Sequence, residues 1–263
     1  MKTVLTIAGS DCSGGAGIQA DIKTILANGA YAMSVITAMT AQNTLGVTAV
    51  QASTPQFLAQ QLDAVFTDIH PDAVKIGMVF SSDLAKIIGE KLRYYNAKNV
   101  VLDPVMVASS GAKLLQTQAV DTLKKELFPL ARIITPNLPE AENLFGKNIP
   151  DKTAMEAVAK QLSETFSCTV LLKGGHRQND ADDVLYDQGK FHWFYGEHIS
   201  TQNTHGTGCT LSSAIAVFLA DGCDLSTAVQ RAKDYVTGAL KANLRLGHGC
   251  GPIDHGWKIK PLC

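Results

Sequence analysis

Short apolar runs alternate along this chain with longer segments in which apolar residues recur every three or four positions. Short runs are typical of buried strands, and the longer periodic segments are typical of helices with one buried face. The pattern predicts strands at 4–8, 32–39, 47–52, 73–79, 100–105, 132–135 and 169–172, and a hairpin at 184–194. It predicts helices at 18–29, 55–69, 84–95, 118–128, 137–146, 155–166, 207–220 and 225–244.

Strands that alternate with helices predict an α/β fold, with a mostly parallel sheet flanked by helices on both faces. Neither an internal repeat nor a linker divides the chain, so residues 1–263 are expected to form one domain. Ligands of such folds bind beyond the carboxyl ends of the strands. Polar segments follow the predicted strands, and we expect them to converge on one edge: 9–17, 40–44, 103, 137, 173–176 and 204–208.

Composition narrows the class of protein. The 263 residues are 46% hydrophobic, enough for a sizeable core, and 23 basic against 24 acidic residues leave a net charge of −1. That balance gives no electrostatic case for binding nucleic acid or an anionic membrane, and no apolar run is long enough to span a bilayer. The six cysteines form no paired motif, which predicts reduced thiols in a cytoplasmic protein without structural zinc.

The stretch from 203 to 216 carries the clearest chemistry, because a loop of small polar residues runs directly into a helix. Gly206, Thr207, Gly208 and Cys209 would form its first turn, where backbone amides lack internal partners and favour a phosphate group. Glycine at two of these positions lets an anion approach the backbone. A helix N-terminus is also expected to lower the pKa of the Cys209 thiol. The alternative is an ordinary glycine-containing helix start.

A second glycine-rich segment, 9–17, has four glycines in nine residues but lacks the spacing of either common nucleotide-binding motif. We interpret it as part of a site for a small polar ligand. Asp11 and Asp21 are either charged site residues or simply solubilise the start of the following helix. The amide of Gln42 suits the edge of a nitrogen heterocycle, whereas Asn43 beside it suits a turn.

Oxygen ligands follow two other strands. Asp103, Asn137 and Glu140 could surround Mg²⁺, which keeps water ligands and bridges phosphates; alternatively, Asp103 caps a turn and Glu140 occupies the first turn of a helix. Lys173 could neutralise a phosphate or simply be solvated. His205 is interpreted as structural rather than catalytic. The segment 106–116 is predicted to be a mobile loop.

Seven stretches, in order and spread over nearly the whole chain, resemble the hydroxymethylpyrimidine (phosphate) kinases of thiamine synthesis, a branch of the ribokinase-like superfamily. They are AGSDCSGGAGIQAD at 8–21, VITAMTAQNT at 35–44, DPVM at 103–106, TPNLPEAE at 135–142, LLKGGH at 171–176, HGTGCT at 205–210 and GHGCGP at 247–252. Ala112 departs from the pattern, since relatives often have Asp there. The resemblance implies a single ribokinase-like domain and transfer of the γ-phosphoryl group of ATP to 4-amino-5-hydroxymethyl-2-methylpyrimidine and then to its monophosphate.

The resemblance also implies roles for individual residues. Cys209 would be the catalytic base, in the place where most of the superfamily has Asp. Substrate contacts would come from Gln42, Asp21, Gly9, Ala16, Met78 and Val105; the anion hole from Gly206, Thr207 and Gly208; ATP contacts from Lys173, Gly175, Thr204 and His205; and the metal environment from Asp103, Asn137 and Glu140. Mg²⁺ and a homodimer are implied, and a role for a monovalent cation is left open. The alternatives are a pyridoxine/pyridoxal kinase of the same superfamily and a non-catalytic pyrimidine-binding or thiamine-regulatory protein.

Overall fold

The computed structural model describes residues 1–106, 117–175 and 181–259. Its strands are β1 (Thr3–Asp11), β2 (Tyr31–Asn43), β3 (Gly46–Ala52), β4 (Ala73–Ile76), β5 (Val100–Leu102), β6 (Ile133–Ile134), β7 (Thr169–Leu172), β8 (Asp183–Asp187) and β9 (Lys190–Phe194). Its helices are α1 (Gly17–Ala27), α2 (Pro55–Asp68), α3 (Ser82–Tyr94), α4 (Thr117–Glu126), α5 (Leu138–Phe145), α6 (Lys152–Phe166), α7 (Thr207–Ala220) and α8 (Leu225–Lys241). A 3₁₀ turn over Phe128–Leu130, which the sequence pattern did not predict, follows α4.

One sheet contains all nine of these strands, in the order β3-β2-β1-β4-β5-β6-β7-β8-β9. The neighbours from β2 to β7 pair in parallel, and the β2–β3, β7–β8 and β8–β9 pairs are antiparallel. The predicted fold class, a mostly parallel sheet with helices on both faces, is therefore confirmed.

Two apolar cores lie on opposite faces of the sheet because strand side chains alternate in direction. Leu5 and Ile7 of β1 join the core beneath α2 to α6, whereas Val4 joins the core beneath α1, α7 and α8. Helix α7 packs against α1, α8 and the central strands β1, β4 and β5. Every residue from Thr210 to Ala220 is buried, which explains why this helix has no polar face.

Strand β2 is longer than predicted, and the hairpin at the other end of the sheet has the expected turn. Strand β2 extends to Asn43, so Thr40 and Gln42 lie on a strand rather than in a loop, and they form a hairpin with β3. The predicted hairpin of β8 and β9 is confirmed, with positive φ angles at Gln188 (47°) and Gly189 (82°), as its two-residue turn requires. Apart from Met106, the loop predicted at 106–116 lies outside the described residues, as does His176.

The polar segments that follow the strands meet at one edge of the sheet. The segment after β6 pairs with the segment after β7 through Asn137 and Lys173. The loop after β1 meets the segment before α7, because a Cβ on Gly15 would lie 2.3 Å from His205 Cδ2. The predicted convergence is therefore confirmed for these segments. None of the described helices is both long and apolar enough to cross a membrane.

Candidate active site

The amino-terminal end of α7 is built around Gly206, its N-cap residue. Gly206 has φ of 90°, and a Cβ there would lie 1.9 Å from the carbonyl oxygen of Gly15. Only glycine fits this combination of positive φ and close approach. The amide of Thr207 donates back to Thr204, and the next amides, of Gly208 and Cys209, belong to the first turn, where helix N–H groups have no acceptor within the helix. The predicted anion site thus has the backbone geometry that it needs.

A lysine–carboxylate pair stands beside this helix end. Lys173 Nζ lies 2.9 Å from Asp103 Oδ1, and the Thr135 hydroxyl donates to the same oxygen at 3.2 Å. A Cβ on Gly208 would lie 3.1 Å from Asp103 Oδ2 and 3.4 Å from Lys173 Nζ, so the first turn of α7 directly faces both groups. Burial opposes the charge of Lys173, but Asp103 and Glu140 raise the pKa of its ammonium above the ordinary value. A permanent cation therefore stands next to the amides.

Asn137 and Glu140 form a capping box at the start of α5. The Glu140 amide donates to Asn137 Oδ1 and the Asn137 amide donates to Glu140 Oε2, both at 2.9 Å. The Asn137 side-chain oxygen and one Glu140 carboxylate oxygen therefore both serve the helix start, and the metal role of Asn137 stays a prediction. Glu140 is nevertheless close to Asp103: burial, together with the charge of Asp103, raises the pKa of its carboxyl to about 7 although Lys173 acts in the opposite sense.

Two neighbouring carboxyl groups, one of which has a raised pKa partly because of the other's charge, suit a divalent cation. The described part of the chain holds no group of three or more His, Cys, Asp or Glu side chains able to enclose a metal. Mg²⁺ commonly takes one or two carboxylates and completes its coordination with water and phosphate oxygens. The donor set of Asp103 and Glu140 fits that kind of site and does not fit a cage made by protein alone.

Cys209 lies partly exposed in the first turn of α7, but its thiol does not have the predicted low pKa. Burial of the sulfur raises the pKa to about 11, and the carboxylates of Asp21 and Asp103 add to this, against the opposing ammonium of Lys75. The helix end favours the thiolate, yet desolvation and two nearby anions outweigh it. At neutral pH the thiol is protonated, so the sequence-based prediction of a lowered pKa was wrong.

Beneath Cys209 lies an ion pair that the sequence analysis did not find. Lys75 Nζ contacts both oxygens of Asp21, at 2.8 and 2.9 Å, and the hydroxyls of Thr6 and Ser213 donate to the same carboxylate at 2.6 and 2.8 Å. Asp21 and Lys75 are both fully buried. Asp21 therefore does not solubilise the helix start, and its oxygens are bound by protein rather than open to a substrate. A lysine in the middle of the apolar run at 73–76 was the available signal.

On the other side of Gly206, His205 joins Asp11 and Gln42. His205 Nε2 lies 2.8 Å from Asp11 Oδ2 and 3.4 Å from the amide nitrogen of Gln42. The ring is 6% exposed. The predicted assignment of His205 to ATP is not supported by this position, because its ring faces the glycine-rich loop and Gln42 rather than Lys173. Asn43 accepts from the amides of Leu45 and Gly46, so its predicted role in the turn is confirmed.

The other predicted contact residues lie around these groups. Gly9 touches Met78, whose Cε a Cβ on Gly9 would approach to 2.4 Å. The Ala16 amide donates to Asp11 Oδ2 at 2.9 Å, and the Val105 amide donates to the Asp103 carbonyl oxygen at 2.8 Å. Thr204 contacts Cys250, with 3.3 Å between Oγ1 and Sγ, and Gly175 follows Lys173 at the end of the described segment. The helix end thus contacts two groups: Gly206 lies against Gly15 and Ala16 of the loop that holds His205, and Gly208 faces Asp103 and Lys173.

A parallel α/β sheet with an anion site at a helix start, a fixed lysine and a pair of carboxylates is the arrangement that a phosphotransferase requires, and it agrees with the ribokinase-like class that the sequence resembles. Comparison with known proteins narrows the class. The family model described as phosphomethylpyrimidine kinase matches residues 11–254. The chain belongs to this family.

Individual relatives agree with that assignment. The chain is 52% identical over 254 residues to the thiamine biosynthesis bifunctional protein ThiED of Geobacter sulfurreducens, covering 96% of this chain but 52% of that protein, so it spans about half of its length. It is 44% identical over 256 residues to a hydroxymethylpyrimidine/phosphomethylpyrimidine kinase of Streptomyces coelicolor, covering 97% and 95% of the two chains. Among solved structures, an ADP complex of Bacillus subtilis pyridoxal kinase is similar, with a TM-score of 0.90 and 35% identity over 97% of this chain and 98% of that one.

Proposed function

We propose that this chain transfers the γ-phosphoryl group of ATP to 4-amino-5-hydroxymethyl-2-methylpyrimidine and then to the monophosphate, acting as one domain over residues 1–263. One observation carries the proposal: the first turn of α7 lies between the Asp103–Lys173 pair and the group formed by Asp11, His205 and Gln42. The Asp103–Lys173 pair suits a polyphosphate, and the group of three polar side chains suits a polar heterocycle. A phosphoryl group that passes between them would cross the amide cradle of Gly208 and Cys209.

In the proposed reaction, the substrate hydroxyl oxygen attacks the γ-phosphorus as the bond from that phosphorus to the ADP oxygen breaks. Such transfers depend on positioning and charge neutralisation. The amides of Gly208 and Cys209 and the Lys173 ammonium would stabilise charge on the transferring group. Asp103 and Glu140 would hold Mg²⁺, whose charge would supply further neutralisation when it is bound.

The hydroxyl proton needs an acceptor, and we propose Cys209 for this role. The Lys75 ammonium favours the thiolate form, although burial keeps the resting thiol protonated with a pKa of about 11. Cys209 can therefore act as a base only in the small thiolate fraction, which increases with pH. Proton transfer from the substrate hydroxyl to Cys209 would therefore limit the rate of phosphoryl transfer at neutral pH.

The test is an ATP-consumption assay with purified protein and Mg²⁺, using the hydroxymethylpyrimidine, its monophosphate and pyridoxal as separate acceptors. We expect product formation with both pyrimidines. Turnover of pyridoxal alone would replace the proposal with the second candidate, which the likeness to B. subtilis pyridoxal kinase supports. Absence of turnover with all three acceptors would favour a binding protein. Dependence on a monovalent cation and a cytoplasmic location stay predictions.

We also propose a homodimer that forms through the β3 edge of the sheet. Strand β3 carries no charged residue, and it is one of the two edge strands of the described sheet. Met39, Leu45 and Val50 on this hairpin are 50%, 68% and 39% exposed. Uncharged edge strands readily pair with another chain. Light scattering should give twice the chain mass for the wild type and the chain mass for Val50→Lys; a monomeric wild type would refute this proposal.

A further inference from the structure

The contact between His205 and Asp11 is buried, and the transfer step described above does not use it. The two side chains are 7% and 4% exposed. The His205 amide donates to the Gly251 carbonyl oxygen at 3.0 Å, and a Cβ on Gly15 would lie 2.3 Å from His205 Cδ2. The ring is thus held between the glycine-rich loop and the carboxyl-terminal tail, in one orientation.

The position of the hydrogen on this ring follows from Asp11. Burial opposes ionisation of Asp11, but hydrogen bonds from His205, Ser13 and the Ala16 amide outweigh it and lower the pKa of the carboxyl to about 2. An ionised carboxylate can only accept hydrogen bonds. His205 Nε2 must therefore carry a hydrogen and donate it to Asp11 across the 2.8 Å contact.

The amide of Gln42 then meets two conflicts in the orientation found. Its nitrogen lies 3.4 Å from His205 Nε2, so two donors face each other. Its oxygen lies 3.1 Å from the Thr40 hydroxyl, which is also 3.1 Å from the carbonyl oxygen of Ser10. A hydroxyl has one hydrogen to donate and cannot serve both acceptors.

A half-turn of the amide removes both conflicts. We propose that Asp11 and His205 form a positioning pair that fixes the Gln42 amide with its oxygen toward His205 and its nitrogen toward Thr40. The Gln42 nitrogen then donates to the Thr40 hydroxyl, whose own hydrogen goes to Ser10, and the Gln42 oxygen shares the hydrogen of His205 Nε2. The nitrogen and oxygen of an amide are nearly the same size, so no other atom has to move.

This orientation has a consequence for specificity, which rests on the proposed function. The pinned amide keeps one free N–H on the Thr40 side and one free lone pair on the His205 side. A ring nitrogen next to an exocyclic amino group offers the complementary acceptor and donor. In a 4-oxo analogue the two roles are exchanged, so a pinned amide rejects it, whereas an amide free to rotate would accept either compound.

His205→Gln tests the pairing, with His70→Gln as the matched control. His70 is exposed at the opposite end of the sheet, where its ring contacts the Tyr95 carbonyl oxygen. For His205→Gln we expect the KM for the aminopyrimidine to rise about tenfold, as for loss of one buried polar partner, and the KM for ATP to stay within about twofold. The preference for the 4-amino compound over the 4-oxo analogue, measured as the ratio of their kcat/KM values, should fall about tenfold or more because the same polar partner is lost. His70→Gln should match the wild type.

The ratio separates positioning from a merely structural role. A raised KM with an unchanged amino-to-oxo ratio would overturn the proposal, as would an unchanged KM. Nitrogen-15 NMR of the histidine rings in the wild type supplies a measurement that needs no variant to fold: the His205 signals should show a hydrogen on Nε2, and an Nε2 without one would overturn it. If the wild type does not phosphorylate the pyrimidine at all, the proposed function fails, while the NMR result still decides the state of the Asp11–His205 pair.

Discussion

The buried pair of Lys75 and Asp21 supports the floor beneath Cys209, and Asp21→Asn should destabilise the protein strongly. The substitution keeps the shape of the side chain and removes its charge. Asp21 accepts hydrogen bonds from Lys75, Thr6 and Ser213 and is fully buried. Burial disfavours the charged form of Lys75. The negative charge of Asp21 contributes most in the opposite direction, and the pKa of the Lys75 ammonium is raised above its ordinary value. Without that anion the ammonium is left buried and uncompensated.

The expected cost follows from measured buried pairs, since removal of one partner typically costs about 3–5 kcal/mol. For a chain of 263 residues, about 2–4 °C of Tm is lost per kcal/mol, so the Tm should fall by roughly 10 °C. Urea unfolding should show a lower midpoint with an unchanged slope. The matched control is Asp83→Ala, which breaks an exposed pair with Lys86 at 3.8 Å, with side chains 74% and 57% exposed, and exposed pairs are worth about 0–1 kcal/mol.

A double variant separates the charge from the packing. In Lys75→Met with Asp21→Leu both charges are gone, and such apolar replacements are often neutral or stabilising. Thr6 and Ser213 lose their acceptor, so we expect at least half of the lost stability to return rather than all of it. If Asp21→Asn loses no more stability than Asp83→Ala, the claim that Lys75 depends on this counter-charge is refuted.

Three further predictions concern the site itself. Cys209→Ala should lower kcat by about 10²–10⁴, the usual contribution of a general base, while ATP affinity stays within a few-fold; in the wild type kcat should still rise with pH up to 9, and near-normal kcat in the variant would exclude Cys209 as the base. Gln42→Met should raise the KM for the pyrimidine about tenfold or more, by loss of its hydrogen bonds, with unchanged circular dichroism; unchanged kinetics would place Gln42 outside the pocket. The pKa of Asp11 falls from 3.8 to about 2 on folding, so its contribution of about 2 kcal/mol is complete above pH 4 and is lost as the pH falls through 2. Acid titration of unfolding should therefore be flatter for Asp11→Asn, and identical curves would contradict this.

The hydrophobic pattern was sufficient for most of the architecture. Short apolar runs, glycine stops and prolines at helix starts are local signals, and they predicted the alternating elements and the edge where the polar segments meet. The same kind of signal identified the glycines at 206 and 208. At Gly206 a positive φ and a close backbone approach leave no alternative, and at Gly208 a Cβ would lie 3.1 Å from Asp103 Oδ2. The turn role of Asn43 was predictable for the same reason.

The protonation states and partners of the site depended on contacts between distant parts of the chain. A helix start by itself predicts a low thiol pKa at Cys209, but burial and the carboxylates of Asp21 and Asp103 reverse the sign. His205 and Asp11 are 194 positions apart, and nothing local in the sequence pairs them. The sequence by itself determined which elements form and which residue types reach the edge of the sheet, because those depend on local periodicity and backbone freedom. Tertiary structure decided which side chains are buried together, because desolvation and charge pairing depend on three-dimensional neighbours.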